Sequence, residues 1–176
     1  VTNADSTWIG NTGTANTNIP FTLTEELKQT LRASGAEVEA QRIELLRGKR
    51  FLIVMGGYPG KRSMYEHAHA LGVSMVVLDG PGHWTQKAVQ EGLFEQFIEV
   101  DLFPADTLAE RAFAAIQATG LHFDGVATVW DNAGPLAALL ANTLGLPGHP
   151  LLSIGFSKNK VFTREVCMEE GIPSPR

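Results

Sequence analysis

Three short apolar runs, each closed by turn-forming residues and separated by helix-like stretches, constrain this chain most. The first is Arg50-Phe51-Leu52-Ile53-Val54-Met55-Gly56-Gly57; the second spans 73–78 (VSMVVL) and ends in Asp79-Gly80-Pro81-Gly82; the third spans 124–130 (DGVATVW). A continuous run of this length suits a strand buried on both faces, as in a parallel sheet covered by helices. Between the runs the pattern turns helical. Residues 61–71 read as a helix stopped by Gly72, and 84–91 as one stopped by Gly92. Residues 97–100 read as a short strand, and Pro104 opens an alanine-rich helix running to about Thr119. Two more helices are expected at 134–144, stopped by Gly145, and at 157–170, stopped by Gly171. Strand and helix alternate at steps of ~20–30 residues, which implies right-handed crossovers. The fold class is therefore α/β: a doubly wound, mainly parallel, Rossmann-like sheet with helices on both faces.

Ahead of this unit, Thr22 and Glu25 match a capping box, and Leu23, Leu27 and Leu31 recur at helical spacing. A second short helix is expected over 37–46. The first twenty residues are polar, rich in Thr and Asn, and lack the basic-then-apolar plan of a signal peptide. The expected organisation is a lead-in with helices at 1–48, the Rossmann-like domain at 49–155, and a helix with linker at 156–176. The chain does not begin with Met and stops at Ser174-Pro175-Arg176 just after a helical stretch, so a piece of a longer protein is expected.

Composition narrows the function classes. The 176 residues carry 19 acids against 14 Lys plus Arg, a formal charge of −5. That balance gives no electrostatic reason for a nucleic-acid partner. No apolar run approaches the ~18 residues of a membrane span. The single cysteine, Cys167, suits a reducing cytoplasm and reads as a small apolar helix residue without a neighbouring histidine base.

In doubly wound sheets ligands sit outside the carboxyl ends of the strands. That singles out three loops: 55–62, 79–83 and 130–132. The first fails as a P-loop, because Met55 stands five before Gly60 and Arg62 follows Lys61. It also fails as G-x-G-x-x-G, because Tyr58 and Pro59 stand where the second glycine would be. What remains is a turn whose backbone amides at a helix N-terminus can hold an anion, weighed equally against a purely structural strand-to-helix turn. Gly56, Gly57, Tyr58 and Asp131 are the candidate substrate-side residues, with helix capping the favoured role for Asp131. Asp79 is expected to shape its Asp-Gly turn. His67 and His69 read as surface residues, and His83 is a loop candidate without an assigned partner.

The last third carries the most specific pattern. It contains Val129-Trp130-Asp131, then Leu144-Gly145-Leu146-Pro147-Gly148, then Asn159-Lys160, Arg164, and Gly171-Ile172-Pro173-Ser174-Pro175-Arg176. In order and spacing these resemble the N-terminal domain of ATP-grasp ligases, over roughly 50–176. Within that family the chain is most similar to carboxylate–amine ligases that join amino acids, of the carnosine synthase kind. The resemblance implies ATP and Mg2+ as cofactors, small amino acids as substrates and a C-terminal ATP-grasp domain as partner, with the metal ligands outside this chain. It implies that Lys160 points toward the ATP phosphates, with Arg164 four residues on along the same helix face. Asn159 stands where many relatives have Asp. The 176 residues alone are expected to be catalytically inert. Two other classes stay open: a Rossmann-type nucleotide-binding enzyme, and a protein-binding α/β module.

Overall fold

A computed structural model describes residues 35–173 together with positions 25 and 29. The helix expected from Thr22 and the end of the Gly171–Arg176 motif fall mainly outside the described residues. Helix α1 (Ala36–Leu46) leads into strand β1 (Arg50–Val54). A 3-10 turn over Pro59–Lys61 then opens α2 (Arg62–Ala70), followed by β2 (Ser74–Asp79), α3 (Thr85–Gln90) and β3 (Gln96–Glu99). After another 3-10 turn come α4 (Leu108–Ala118), β4 (Gly125–Ala127) and α5 (Gly134–Thr143). The chain continues through α6 (Leu151–Lys158) and α7 (Lys160–Glu169).

The four strands form one parallel sheet in the order β3-β2-β1-β4. Alternate side chains build two cores. Leu52, Val54, Val76 and Leu78 pack with Leu108, Ala112 and Ile116 of α4 and with Leu136 and Leu140 of α5. Ile53, Met75 and Val77 face the other way, onto Tyr65 of α2, Ala88 of α3, Leu93 and Phe94. Helices thus cover both faces, which is why β1 and β2 carry no polar face before Asp79. The doubly wound α/β expectation holds. Because β2 and β3 add to one side of β1 and β4 to the other, the order reverses between β1 and β4, and the crevice lies there.

Two details differ from the sequence reading. The strand expected over 124–130 is only Gly125–Ala127 long, because Thr128 turns the chain: its hydroxyl accepts from the Trp130 amide at 3.1 Å and donates to the Trp130 carbonyl at 3.2 Å. The single helix expected over 157–170 is two helices, α6 and α7, broken at Asn159. There the backbone turns extended, and the Asn159 side chain accepts from the amides of Val161 and Phe162 at 3.0 and 3.4 Å. Asparagine favours such a cap over a helix interior.

Candidate functional site

The carboxyl end of β1 is held by residues of α2 and of the β2–α3 loop. Met55 and Gly57 both take left-handed backbone conformations, with φ of 55° and 68°. Between them Gly56 is wedged so closely that a Cβ would stand 2.8 Å from Thr85 Cγ2. Its amide donates to Asp79 Oδ2 at 2.8 Å, while Asp79 Oδ1 accepts from the Gly80 amide at 2.8 Å. Asp79 is 2% exposed, so these two donors satisfy a carboxylate that water barely reaches. The Tyr65 hydroxyl donates to the Gly56 carbonyl at 3.0 Å. Burial raises the Tyr65 hydroxyl's pKa well above its ordinary value, and the Asp79 charge adds to this.

The Gly57 carbonyl accepts twice, from Trp84 Nε1 at 2.7 Å and His83 Nε2 at 2.8 Å. A carbonyl can only accept, so Nε2 carries a proton. His83 Nδ1 lies 2.8 Å from Thr85 Oγ1 and 3.2 Å from Asp79 Oδ2. Tyr65, Trp84 and Phe94 form an aromatic layer beneath, with ring centroids 5.0–6.2 Å apart. Four side chains, Tyr65, Asp79, His83 and Trp84, thus hold the Gly56 amide and the carbonyls of Gly56 and Gly57.

Beside this corner, at the β1/β4 crevice, lies a cleft of about 380 Å³. Lys61 lines one side; Val129, Trp130 and Asp131 line the β4 side, with Ile154, Ser157 and Lys158 of α6 beyond. Gly57 lies where the two sides meet: a Cβ there would lie 3.7 Å from both Lys61 Cγ and Val129 Cγ2. Lys61 Nζ stands 5.4 Å from the centroid of the exposed Tyr58 ring, within cation–π range. Lys158 Nζ donates to Asp131 Oδ2 at 2.8 Å. That bond, with the lysine's charge, holds the Asp131 carboxyl below its ordinary pKa although the side chain is 91% exposed.

The expected residues fall into three places. Gly57, Tyr58 and Asp131 gather around the cleft. Gly56 sits behind it with its amide committed to Asp79, so it is not open to an anion as the loop reading had it. Asp131 bonds Lys158 and caps no helix: α5 follows a 3-10 turn, and no side chain caps it. Asp79 does more than shape its turn, since it also reaches across to β1. Lys160 and Arg164 lie exposed on α7, outside the cleft lining, and neither side chain has a protein hydrogen bond or ion pair among the described residues. His67 and His69 are surface residues, as expected. Sequence reasoning missed the joint role of Tyr65, Asp79, His83, Trp84 and Thr85. The available signal was an acid ending a central strand beside a glycine pair, with His, Trp and Thr within six residues of it.

Among the described residues no group of three or more His, Cys, Asp or Glu side chains could hold a metal ion. No described helix is long and apolar enough to cross a membrane.

Residues 65–148, from α2 to the turn after α5, match the ATP-grasp N-terminal domain family. Over that stretch the chain is similar to the ATP-grasp N-terminal domain. It is similar to carnosine synthase 1 of Gallus gallus, 30% identical over 125 residues that cover 69% of this chain and 13% of that protein. Human carnosine synthase 1 is 31% identical over 136 residues, covering 74% and 16% respectively. Among solved structures, an L-amino acid ligase from Bacillus licheniformis superimposes with a TM-score of 0.57 at 27% identity, covering 73% of this chain and 32% of that one. The chain thus spans less than a fifth of the curated relatives it matches.

Proposed function

We propose that this domain forms the substrate-side wall of an ATP-dependent ligase that joins an amino-acid carboxylate to an amine, forming a dipeptide. The observation that carries the reading is the cleft at the β1/β4 crevice of a domain whose relatives are carnosine synthases and an L-amino acid ligase. ATP supplies the phosphoryl group that converts the carboxylate into an acyl phosphate; the amine then attacks the acyl carbon and inorganic phosphate leaves. The chain's own residues do the holding. Gly57, Tyr58 and Asp131 face the substrate, and Gly56 fixes the loop behind them. Lys160 and Arg164 suit a polyphosphate: they are two unengaged cations one helical turn apart, and an ammonium acts on phosphate as a point charge. Among the described residues no group of three or more acidic, histidine or cysteine side chains gathers, and this reading seeks the magnesium ligands elsewhere. In this reading the metal and most of the nucleotide site belong to an ATP-grasp domain C-terminal to this one, and the enzyme works in the cytoplasm.

The test is product analysis. A protein in which this domain is joined to an ATP-grasp domain, given ATP, magnesium and amino acids, releases ADP and phosphate in step with dipeptide. The 176-residue chain alone releases neither. Release of AMP and pyrophosphate would overturn the acyl-phosphate route, and turnover by the 176 residues alone would overturn the division of labour. In the joined protein Lys160→Ala raises the KM for ATP about tenfold, the loss of roughly one charge-assisted contact.

A further inference from the structure

The cleft has a charge pattern that the ligase reading does not itself supply. Three of its lining side chains are charged, two lysines and one aspartate, which leaves a single formal positive charge. That charge is not spread evenly. Lys158 is committed to Asp131 at 2.8 Å, whereas the Lys61 ammonium makes no hydrogen bond or ion pair among the described residues and only overlies Tyr58. Its stem is fixed: Lys61 is half-buried and packs along Gly57, whose carbonyl is itself held by Trp84 and His83. An ammonium presented on a held stem, at the mouth of a cleft with an apolar wall of Val129 and Ile154, is an anion anchor with room for a short carbon chain.

We propose that the cleft binds a small monoanionic carboxylate, with the Lys61 ammonium as its anchor and the Asp131–Lys158 pair limiting the charge it accepts. A ligand with one carboxylate neutralises the cleft. A second negative charge meets the exposed Asp131 carboxylate, whose own partner is already taken. At about 4 Å in a water-like medium such repulsion is worth a factor of about five in affinity. The apolar wall then separates a carboxylate carrying methylenes from inorganic phosphate. The identification of this carboxylate with the one to be activated rests on the ligase reading; the binding itself does not.

The experiment is an amide NMR titration of the 176-residue chain at pH 8 with propionate, succinate and inorganic phosphate, without nucleotide. Propionate is expected to give saturable shifts at Gly57, Lys61 and 128–131, with weaker binding of succinate and phosphate. Lys61→Gln is expected to abolish the propionate response, and Lys61→Arg to keep it. Asp131→Asn is expected to move the preference toward succinate and phosphate by about fivefold. The proposal is overturned if shifts spread evenly over surface lysines, if Lys61→Gln binds propionate as the parent does, or if the parent prefers phosphate. No arm requires ATP. Failure here leaves the ligase reading standing, and failure of ATP-dependent turnover leaves this result standing.

Discussion

Gly56 has little latitude for a side chain. Its φ is unremarkable, so the constraint is space: Thr85 Cγ2 and His83 Cε1 stand 2.8 and 3.3 Å from where a Cβ would be. Gly56→Ala is expected to destabilise the fold by about 1–3 kcal/mol, read from urea unfolding, because both neighbours are themselves hydrogen-bonded and cannot step back freely. Asp79 sets the same corner electrostatically. Asp79→Ala leaves the Gly56 and Gly80 amides without their acceptor, at a cost of about 1–3 kcal/mol for each one left buried and unpaired. Asp79→Asn keeps one acceptor oxygen and should retain part of that stability. Were Asn to match the parent, the carboxylate's second bond would carry no weight. At this scale the sequence was only half legible. The glycine pair announced a turn at Met55–Tyr58, but nothing in a linear pattern says that Thr85, thirty positions on, fills the space a side chain would need.

Elements were easier to read than residues. Burial on both faces forces β1 and β2 into continuous apolar runs, and Gly72, Gly92 and Gly145 mark stops because each takes a positive φ after a helix. The misreadings came where a side chain competes with regular structure. Thr128 ends β4 early, and Asn159 splits one expected helix into α6 and α7. α6 begins at Leu151, directly after Pro150, well ahead of the helix start expected at 157. Asn159→Ala is therefore expected to weaken α7 by about 0.5–2 kcal/mol, and Asn159→Asp to preserve it. Hydrogen exchange checks this: protection should fall at Val161 and Phe162 in the alanine variant while amides of β1 and β2 stay unchanged. Loss of protection across the sheet would show that α7 is not a separable element.

Over the whole molecule, the end of the sheet opposite the cleft is laced by charge. Arg50 donates to Glu95 at 2.7 and 2.8 Å, and its amide donates to Asp124, which also accepts from Lys49 at 3.0 Å. Ser74 adds a further bond to Glu95. These contacts join β1, β2, the start of β3 and the lead into β4. The Arg50 hydrogen bond holds the Glu95 pKa below its ordinary value, and the Arg50 amide, followed by Lys49, does the same for Asp124. A depressed carboxylate pKa in the fold stabilises at pH values above the unfolded-state value, about 4, and the gain fades as pH falls through the folded value. Thermal melts should therefore show Glu95→Gln less stable than the parent at pH 7, by about 1 kcal/mol or less given solvent screening, with the deficit closing below pH 4. A deficit that stays constant with pH would mean that packing, not charge, is lost. The long-range pattern was visible from sequence only as fold class, since the pairing of Arg50 with Glu95 depends on strand order.

The double acceptance at the Gly57 carbonyl sets an asymmetry in the cleft. The β1 wall is tied by His83 and Trp84 to the neighbouring strand's loop, so those two loops behave as one stiff jaw. The opposite wall hangs on a three-residue strand, a Thr128 turn and one exposed ion pair between Asp131 and Lys158. If the cleft changes width around a guest, the hinge is on the β4 side, and the anvil against which it closes is the paired glycines.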